Sequence, residues 1–175
     1  MANTGQKIAG TGANVSRGLV TWSNPTRVNA SQGNTLSASC SVNLGGASGS
    51  DYLAASSFGF AIPSDATIDG VLFEAGQGVA SGTVTCQLQN DSAALFGSSK
   101  SYTATASYSV VSVGSSTDLW GATLTPAIIN NSNFGARIWT TTAFQHRVDA
   151  VWLTVYYTLA SGVKAVARSC GVVGT

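Results

Sequence analysis

The scarcity of helix-forming residues is the feature that most constrains how this chain can fold. Glutamate and methionine each occur once and lysine three times, whereas serine and threonine together number 43 of the 175 residues. Long amphipathic surface helices depend on residues such as Glu, Lys and Met, so this composition cannot supply them. Ser, Thr, Val and Gly favour strands joined by tight turns. The composition therefore predicts an all-β protein.

Alternation of apolar and polar residues supports that prediction along most of the chain. Turn signals recur roughly every 10–15 residues between the alternating segments, a spacing typical of sandwiches and barrels. The predicted strands lie within 15–22, 36–42, 52–62, 68–79, 83–89, 98–114, 134–142 and 147–158. We expect a single antiparallel β-sandwich, jelly-roll-like, over residues 15–158.

One short helical turn is predicted near residue 128. Thr125 is a favourable N-cap, Pro126 suits the first helical position, and Asn131 suits the exit. In the final strand, Val148, Ala150 and Trp152 alternate with Val151, Leu153 and Val155, so both faces are apolar. That pattern predicts a central strand, or a strand that a second subunit covers on its outer side.

The two ends of the chain lack this alternation. We expect residues 1–14 to form an N-terminal arm and residues 159–175 a C-terminal arm, because neither has enough large apolar side chains to be held by burial. Val163, Val166, Val172 and Val173 suggest that the C-terminal arm adds a strand to a neighbour's sheet edge. The alternative is that this segment completes the sheet of its own domain.

Charge is unusually sparse, at 9% of residues with a net charge of +1. This balance gives no reason to expect nucleic acid as a partner. A surface of Ser and Thr is polar but easily desolvated, so the chain is suited to packing among protein neighbours. We expect no membrane span and no secretory signal, because no long apolar segment occurs.

Histidine and glutamate, two residue types that commonly carry catalysis, are nearly absent. His146 is the only histidine and Glu74 the only glutamate. No GxSxG motif accompanies His146, and Glu74 could form a glycosidase pair only with an aspartate. Three cysteines, Cys40, Cys86 and Cys170, show no metal-binding spacing, and Cys40 and Cys86 are expected in the core. We therefore expect no enzyme activity, no metal and no cofactor.

Tryptophans are the remaining candidates for a binding site. Trp22, Trp120 and Trp139 could form an aromatic platform that stacks on a surface glycan, or could contact a partner subunit. The competing interpretation places Trp152 in the core and the other three in loops or a subunit contact. The sequence alone does not separate these alternatives.

Four segments resemble β-sandwich domains of tailed-phage and prophage virion proteins. Residues 58–71, FGFAIPSDATIDGV, are similar to that family's "F-x-I-P-x-x-A-T-I-x-G-I" segment. Residues 116–126 and 130–135 resemble later parts of the same domain, and 148–157 resembles its closing strand. Within the resemblance, Pro63 is expected to set a turn, Gly70 to relieve crowding, and Trp120 to anchor a loop.

The resemblance implies a non-enzymatic structural protein of the virion, assembled in the host bacterial cytoplasm. Such domains occur in head decoration, collar, tail and fibre proteins. A short single-domain chain without repeats suggests a capsid cement or decoration protein on the outer surface of the head. Its expected partners are the major capsid protein and itself, as a dimer or trimer. The alternatives are a receptor- or carbohydrate-binding module of a tail, collar or head fibre, and an accessory domain of a host carbohydrate-active enzyme.

Overall fold

The computed structural model describes residues 1–17, 20–30, 37–42, 49–78 and 82–160. Within these ranges the chain forms two antiparallel sheets packed face to face, which confirms the predicted all-β sandwich. No helix of the described ranges is long and apolar enough to cross a bilayer.

The larger sheet, sheet A, is organised around the last strand. Its six strands are β1 (Ala2–Asn3), β2 (Lys7–Ile8), β4 (Ala38–Val42), β6 (Thr67–Gly78), β9 (Ser109–Gly114) and β11 (Phe144–Thr158). On one side β11 pairs with β6, which pairs with β9 at the sheet edge. On its other side β11 pairs in turn with β1, β2 and β4. The prediction of a central final strand is confirmed.

The second sheet, sheet B, has five strands and carries the opposite wall of the sandwich. In spatial order they are β3 (Thr11–Val15), β5 (Tyr52–Ser56), β10 (Gly135–Thr140), β7 (Gly82–Gln89) and β8 (Leu95–Ala104). Alternate residues of β7 and β10, such as Cys86 and Ile138, are fully buried between the sheets. Their neighbours along each strand therefore face outward.

The core between the sheets is aliphatic and aromatic. Phe73 and Leu153 of sheet A and Leu53 and Leu88 of sheet B are fully buried. Phe58, Phe60 and Phe134 close one part of it, with Phe58 and Phe60 stacked at a centroid distance of 5.7 Å.

The N-terminal segment corrects one prediction, because residues 1–14 do not form an arm. The Thr4 amide donates to the Val155 carbonyl at 3.0 Å, and the Ala9 amide donates to Val151 at 3.0 Å. The chain then enters sheet B as β3, which ends at Val15 and does not extend to residue 22 as predicted. Backbone hydrogen bonds to β11 hold this segment, and they do not depend on large apolar side chains, which is why its composition did not predict them.

The double apolar pattern of the last strand has a different cause from the one predicted. A register shift between Val148 and Val151 lets both side chains join the same interior core. Trp152, expected inside, lies half-buried on the outer face, opposite Ile8 and Glu74. A β-bulge of this kind reverses which face of the sheet the odd- and even-numbered side chains occupy within one strand.

The predicted helical turn is confirmed as α1 (Pro126–Asn130), with the Thr125 side chain accepting from the Ile128 amide at 3.3 Å. A 3-10 turn over Pro25–Val28 was not predicted. At the other end of the domain, Leu159 and Ala160 are exposed after β11. The remaining predicted C-terminal arm, 161–175, lies outside the described residues.

Candidate functional site

His146 lies inside the sandwich and has the environment of a structural residue. Its ring is 1% exposed, and Nε2 lies 3.4 Å from Thr140 Oγ1 and 3.3 Å from the Thr142 carbonyl. Burial lowers the pKa of the imidazole, while the hydrogen bond to Thr142 opposes that shift. No carboxylate is among its hydrogen-bond partners in the described part of the chain. The arrangement does not form a catalytic triad.

Acidic residues do not gather into a site either. Glu74, on the outer face of sheet A, accepts a hydrogen bond from Gln6 Nε2 at 2.8 Å. Across the described ranges no group of three His, Cys, Asp or Glu side chains has a geometry that could hold a metal ion.

Cys86 lies in the core, as predicted, and burial raises the pKa of its thiol to about 12. The side chain of Cys40, and all of Cys170, lie outside the described part of the structure.

Trp22 is not available as a sugar platform. Its side chain is 3% exposed, and its indole N–H donates to the Asp51 carbonyl at 2.8 Å. The Trp22 amide donates to Asn14 Oδ1 at 2.8 Å. These bonds join the loop after β3 to the start of β5, so this tryptophan stabilises the fold.

Trp120 is buried as well, and it anchors a loop as the resemblance implied. The ring is 1% exposed, and Nε1 donates to the Val71 carbonyl at 2.9 Å. Asp118 accepts from the Trp120 amide at 2.8 Å and forms an ion pair with Lys100 at 2.7 Å. Gly70 lies beneath this loop, where a Cβ would come within 2.6 Å of the Ser115 carbonyl oxygen.

Trp139 is the one member of the predicted platform that reaches the surface. It lies half-buried on the outer face of sheet B, with its ring edge-on to Tyr52 at a centroid distance of 5.2 Å. The Arg17 guanidinium carbon lies 5.2 Å from the Tyr52 centroid and 5.8 Å from that of Trp139. Arg137 lies 5.2 Å from the same Tyr52 ring. We call these four residues the arginine–aromatic cluster.

Both arginines of this cluster are partly held by neutral groups. Arg17 Nη1 donates to the Ser50 carbonyl at 3.0 Å. Arg137 donates from Nε to Gln89 Oε1 at 3.1 Å and from Nη2 to the Ala93 carbonyl. Partial burial lowers the pKa of the Arg137 guanidinium, although arginine keeps its charge at any physiological pH. The buried carboxylate of Asp51 lies beside Arg17, since its Oδ1 accepts from the Arg17 backbone amide at 2.7 Å.

Sequence reasoning found Trp139 but missed its three neighbours. Arg137 and Trp139 are two residues apart in β10, with Ile138 buried between them, so strand periodicity could have placed both on one outer face. Arg17 and Tyr52 come from distant parts of the chain and only the fold brings them together.

The outer face of sheet A mixes apolar with polar side chains, because Glu74, Ser112 and Thr154 share its rows. Trp152 lies between Ile8 on β2 and Glu74 on β6, and Leu72 pairs with Thr154 in the next row. Val110 of the edge strand β9 is 51% exposed. We call Ile8, Leu72, Val110 and Trp152 the apolar stripe.

Comparison with known proteins gives similarity of shape alone. No family model matches the chain, and no curated protein matches it. Among solved structures, an arabinose-bound GH51 α-L-arabinofuranosidase, MgGH51, aligns with a TM-score of 0.45 and 12% identity over 83% of this chain. The present chain spans 23% of the length of that protein.

Two further structures align at a similar level. The apo structure BiXyn10A CBM1 aligns with a TM-score of 0.45 and 6% identity, covering 90% of this chain and 93% of its own. The enzymatically active domain of bacteriophage CBA120 tailspike protein 4 aligns with a TM-score of 0.43 and 10% identity, covering 89% of this chain and 20% of its own. At these values no activity or partner carries over to the present protein.

Proposed function

We propose that this protein is a non-enzymatic structural component of a phage virion, a capsid cement or decoration protein that packs against neighbours on the outer surface of the head. The observation that carries the proposal is the apolar stripe on the outer face of sheet A. It supports a protein contact, because apolar side chains that stay partly exposed on one sheet face are typical of interaction sites.

The stripe has the composition of the centre of a protein interface. Trp152 supplies an aromatic anchor, Leu72 and Ile8 supply aliphatic area, and Glu74 is already hydrogen-bonded to Gln6. Interface centres are poor in charge and rich in aromatic residues. The family resemblance of residues 58–71 supports the assignment to a virion, and the two lines of argument are independent.

Copy number tests the place of the protein in the virion. Quantitative mass spectrometry of purified particles is expected to find hundreds of copies, in a fixed ratio to the major capsid protein. A small number that matches the symmetry of a collar or fibre would contradict the decoration role and favour a fibre module.

A pair of variants tests the surface. Val110→Asp places a charge in the apolar stripe at a position exposed enough to spare the fold, and it is expected to abolish incorporation into particles. Leu95→Asp is the matched control, because Leu95 is 37% exposed but belongs to sheet B. Equal incorporation of both variants would show that the stripe is not the contact.

A further inference from the structure

The arginine–aromatic cluster points to a second surface with a different partner. The guanidinium carbons of Arg17 and Arg137 each lie 5.2 Å from the centroid of the Tyr52 ring. They are therefore at most ~10 Å apart, which is about the Debye length in 0.1 M salt. The carboxylate of the buried Asp51 also lies beside Arg17, where it accepts from the Arg17 amide at 2.7 Å and from Asn14 Nδ2 at 2.9 Å. The negative charge is therefore buried and bonded within the protein, whereas the two guanidinium groups are half-buried and can still reach a ligand.

The guanidinium groups keep donors for such an anion. Arginine has five N–H donors, of which Arg17 uses one on Ser50, and Arg137 uses its Nε and one of its Nη atoms. The Tyr52 and Trp139 rings support the guanidinium groups and reduce the entropy lost when a ligand binds. A carboxylate is the group that this planar donor geometry matches best.

The rest of the same sheet face is neutral and rich in hydrogen-bonding groups. Thr85 of β7 is the register partner of Trp139, and its hydroxyl lies 3.3 Å from that of Ser101 on β8. Cross-strand partners project from the same face of a sheet. The two hydroxyls therefore extend the surface sideways from Trp139 across β7 and β8. The row can bind a ligand that carries many hydroxyl groups.

An acidic polysaccharide matches both parts of this surface. Its carboxylates suit the two arginines, its ring hydroxyls suit Thr85 and Ser101, and its C–H groups can pack against the half-buried ring of Trp139. An acidic protein could also pair with the two arginines, and the neutral hydroxyls of Thr85 and Ser101 beside them are the observation that favours a ligand rich in hydroxyl groups. We therefore propose that the outer face of sheet B binds carboxylate-bearing polysaccharide through Arg17, Arg137 and Trp139.

Calorimetric titration with polygalacturonic acid at low salt tests this site on the whole chain. We expect binding by the unaltered protein, no binding of neutral dextran, and affinity at least about tenfold weaker in Arg137→Gln and Arg17→Gln. Arg147→Gln is the matched control, because Arg147 is also half-buried but belongs to β11 of sheet A. Arg17→Lys keeps the charge and should retain more affinity than Arg17→Gln.

Circular dichroism and melting curves identify any variant that does not fold. If Arg137→Gln fails to fold, the result with Arg17→Gln decides, because among the described residues the Arg17 side chain donates one hydrogen bond, to Ser50. Absence of polygalacturonate binding by the unaltered protein overturns the proposal, as does an equal loss in Arg147→Gln. Equally tight binding of poly-L-glutamate also overturns it, since the surface would then recognise acidic protein.

Discussion

Individual buried tryptophans account for much of the order at the loops. Trp120 has a φ of +57°, in the left-handed region that costs a non-glycine residue roughly 1–2 kcal/mol. The loop keeps this conformation because the indole bonds to Val71, the amide bonds to Asp118, and Lys100 lies 5.2 Å from the ring centroid. Packing and hydrogen bonds therefore outweigh the backbone strain.

Replacement of this anchor is expected to be costly. Trp120→Ala should lower the free energy of unfolding by about 3–5 kcal/mol, because it leaves a cavity and removes the bond to Val71. Trp139→Ala is the matched control and should cost less, since its ring is half-exposed. Urea denaturation of both variants measures the difference. Similar losses would mean that the loop collapses around the cavity.

His146 should make stability depend on pH. Burial lowers the pKa of its imidazole below the ordinary 6.5, so the unfolded chain binds a proton that the folded chain does not. The contribution of His146 to stability is therefore fully present above pH 6.5, the ordinary pKa of the imidazole, and falls as the pH drops below 6.5. From about pH 7.5 to about pH 5 we expect the melting temperature to fall more in the unaltered protein than in His146→Asn. Equal slopes would assign the pH dependence to groups other than His146. Asp118 is not one of them: burial acts to raise the pKa of its carboxyl, but Lys100 and the Trp120 amide lower it below the ordinary 3.8, so its contribution is lost only at lower pH.

At the scale of elements, alternation predicted the long strands and failed at the short ones. The segments now seen as β6, β7 and β10 were predicted close to their observed bounds, because each alternates over six residues or more. β1 and β2 have two residues each, too few to show any period. The bulge in β11 was also hidden, since a register shift depends on the partner strand.

The short N-terminal strands give a prediction at this scale. A variant lacking residues 1–8 should melt at a lower temperature and self-associate, because part of one edge of β11 loses its backbone partners. Lys7→Ala is the control, since it keeps the pairing and alters only an exposed side chain. Melting curves and light scattering measure both effects. If the shortened chain matched the control in melting temperature and in oligomeric size, these strands would contribute nothing to the fold.

The whole molecule presents two outer faces of different chemistry, and the sequence predicted only part of this difference. Low charge indicated a surface suited to neighbours, and strand spacing could place Arg137 beside Trp139. Arg17 and Tyr52 join them only when β3, β5 and β10 lie side by side. The apolar stripe likewise requires β2, β6 and β11 in register, which a pattern along one strand does not specify.

The two faces should respond differently to salt. The proposed attachment to the head through Leu72, Val110 and Trp152 would depend on apolar burial. Raising the salt to about 0.5 M, where the Debye length is about 4 Å, should therefore leave the protein on the particle. Polysaccharide binding through Arg17 and Arg137 should weaken over the same range, because charged contacts are screened. Washed particles assayed by mass spectrometry measure the first response, and titration with polygalacturonate measures the second. Release of the protein at about 0.5 M salt would show that charged groups make the attachment. If the affinity for polysaccharide did not change with salt, the two arginines would not be the groups that bind the ligand.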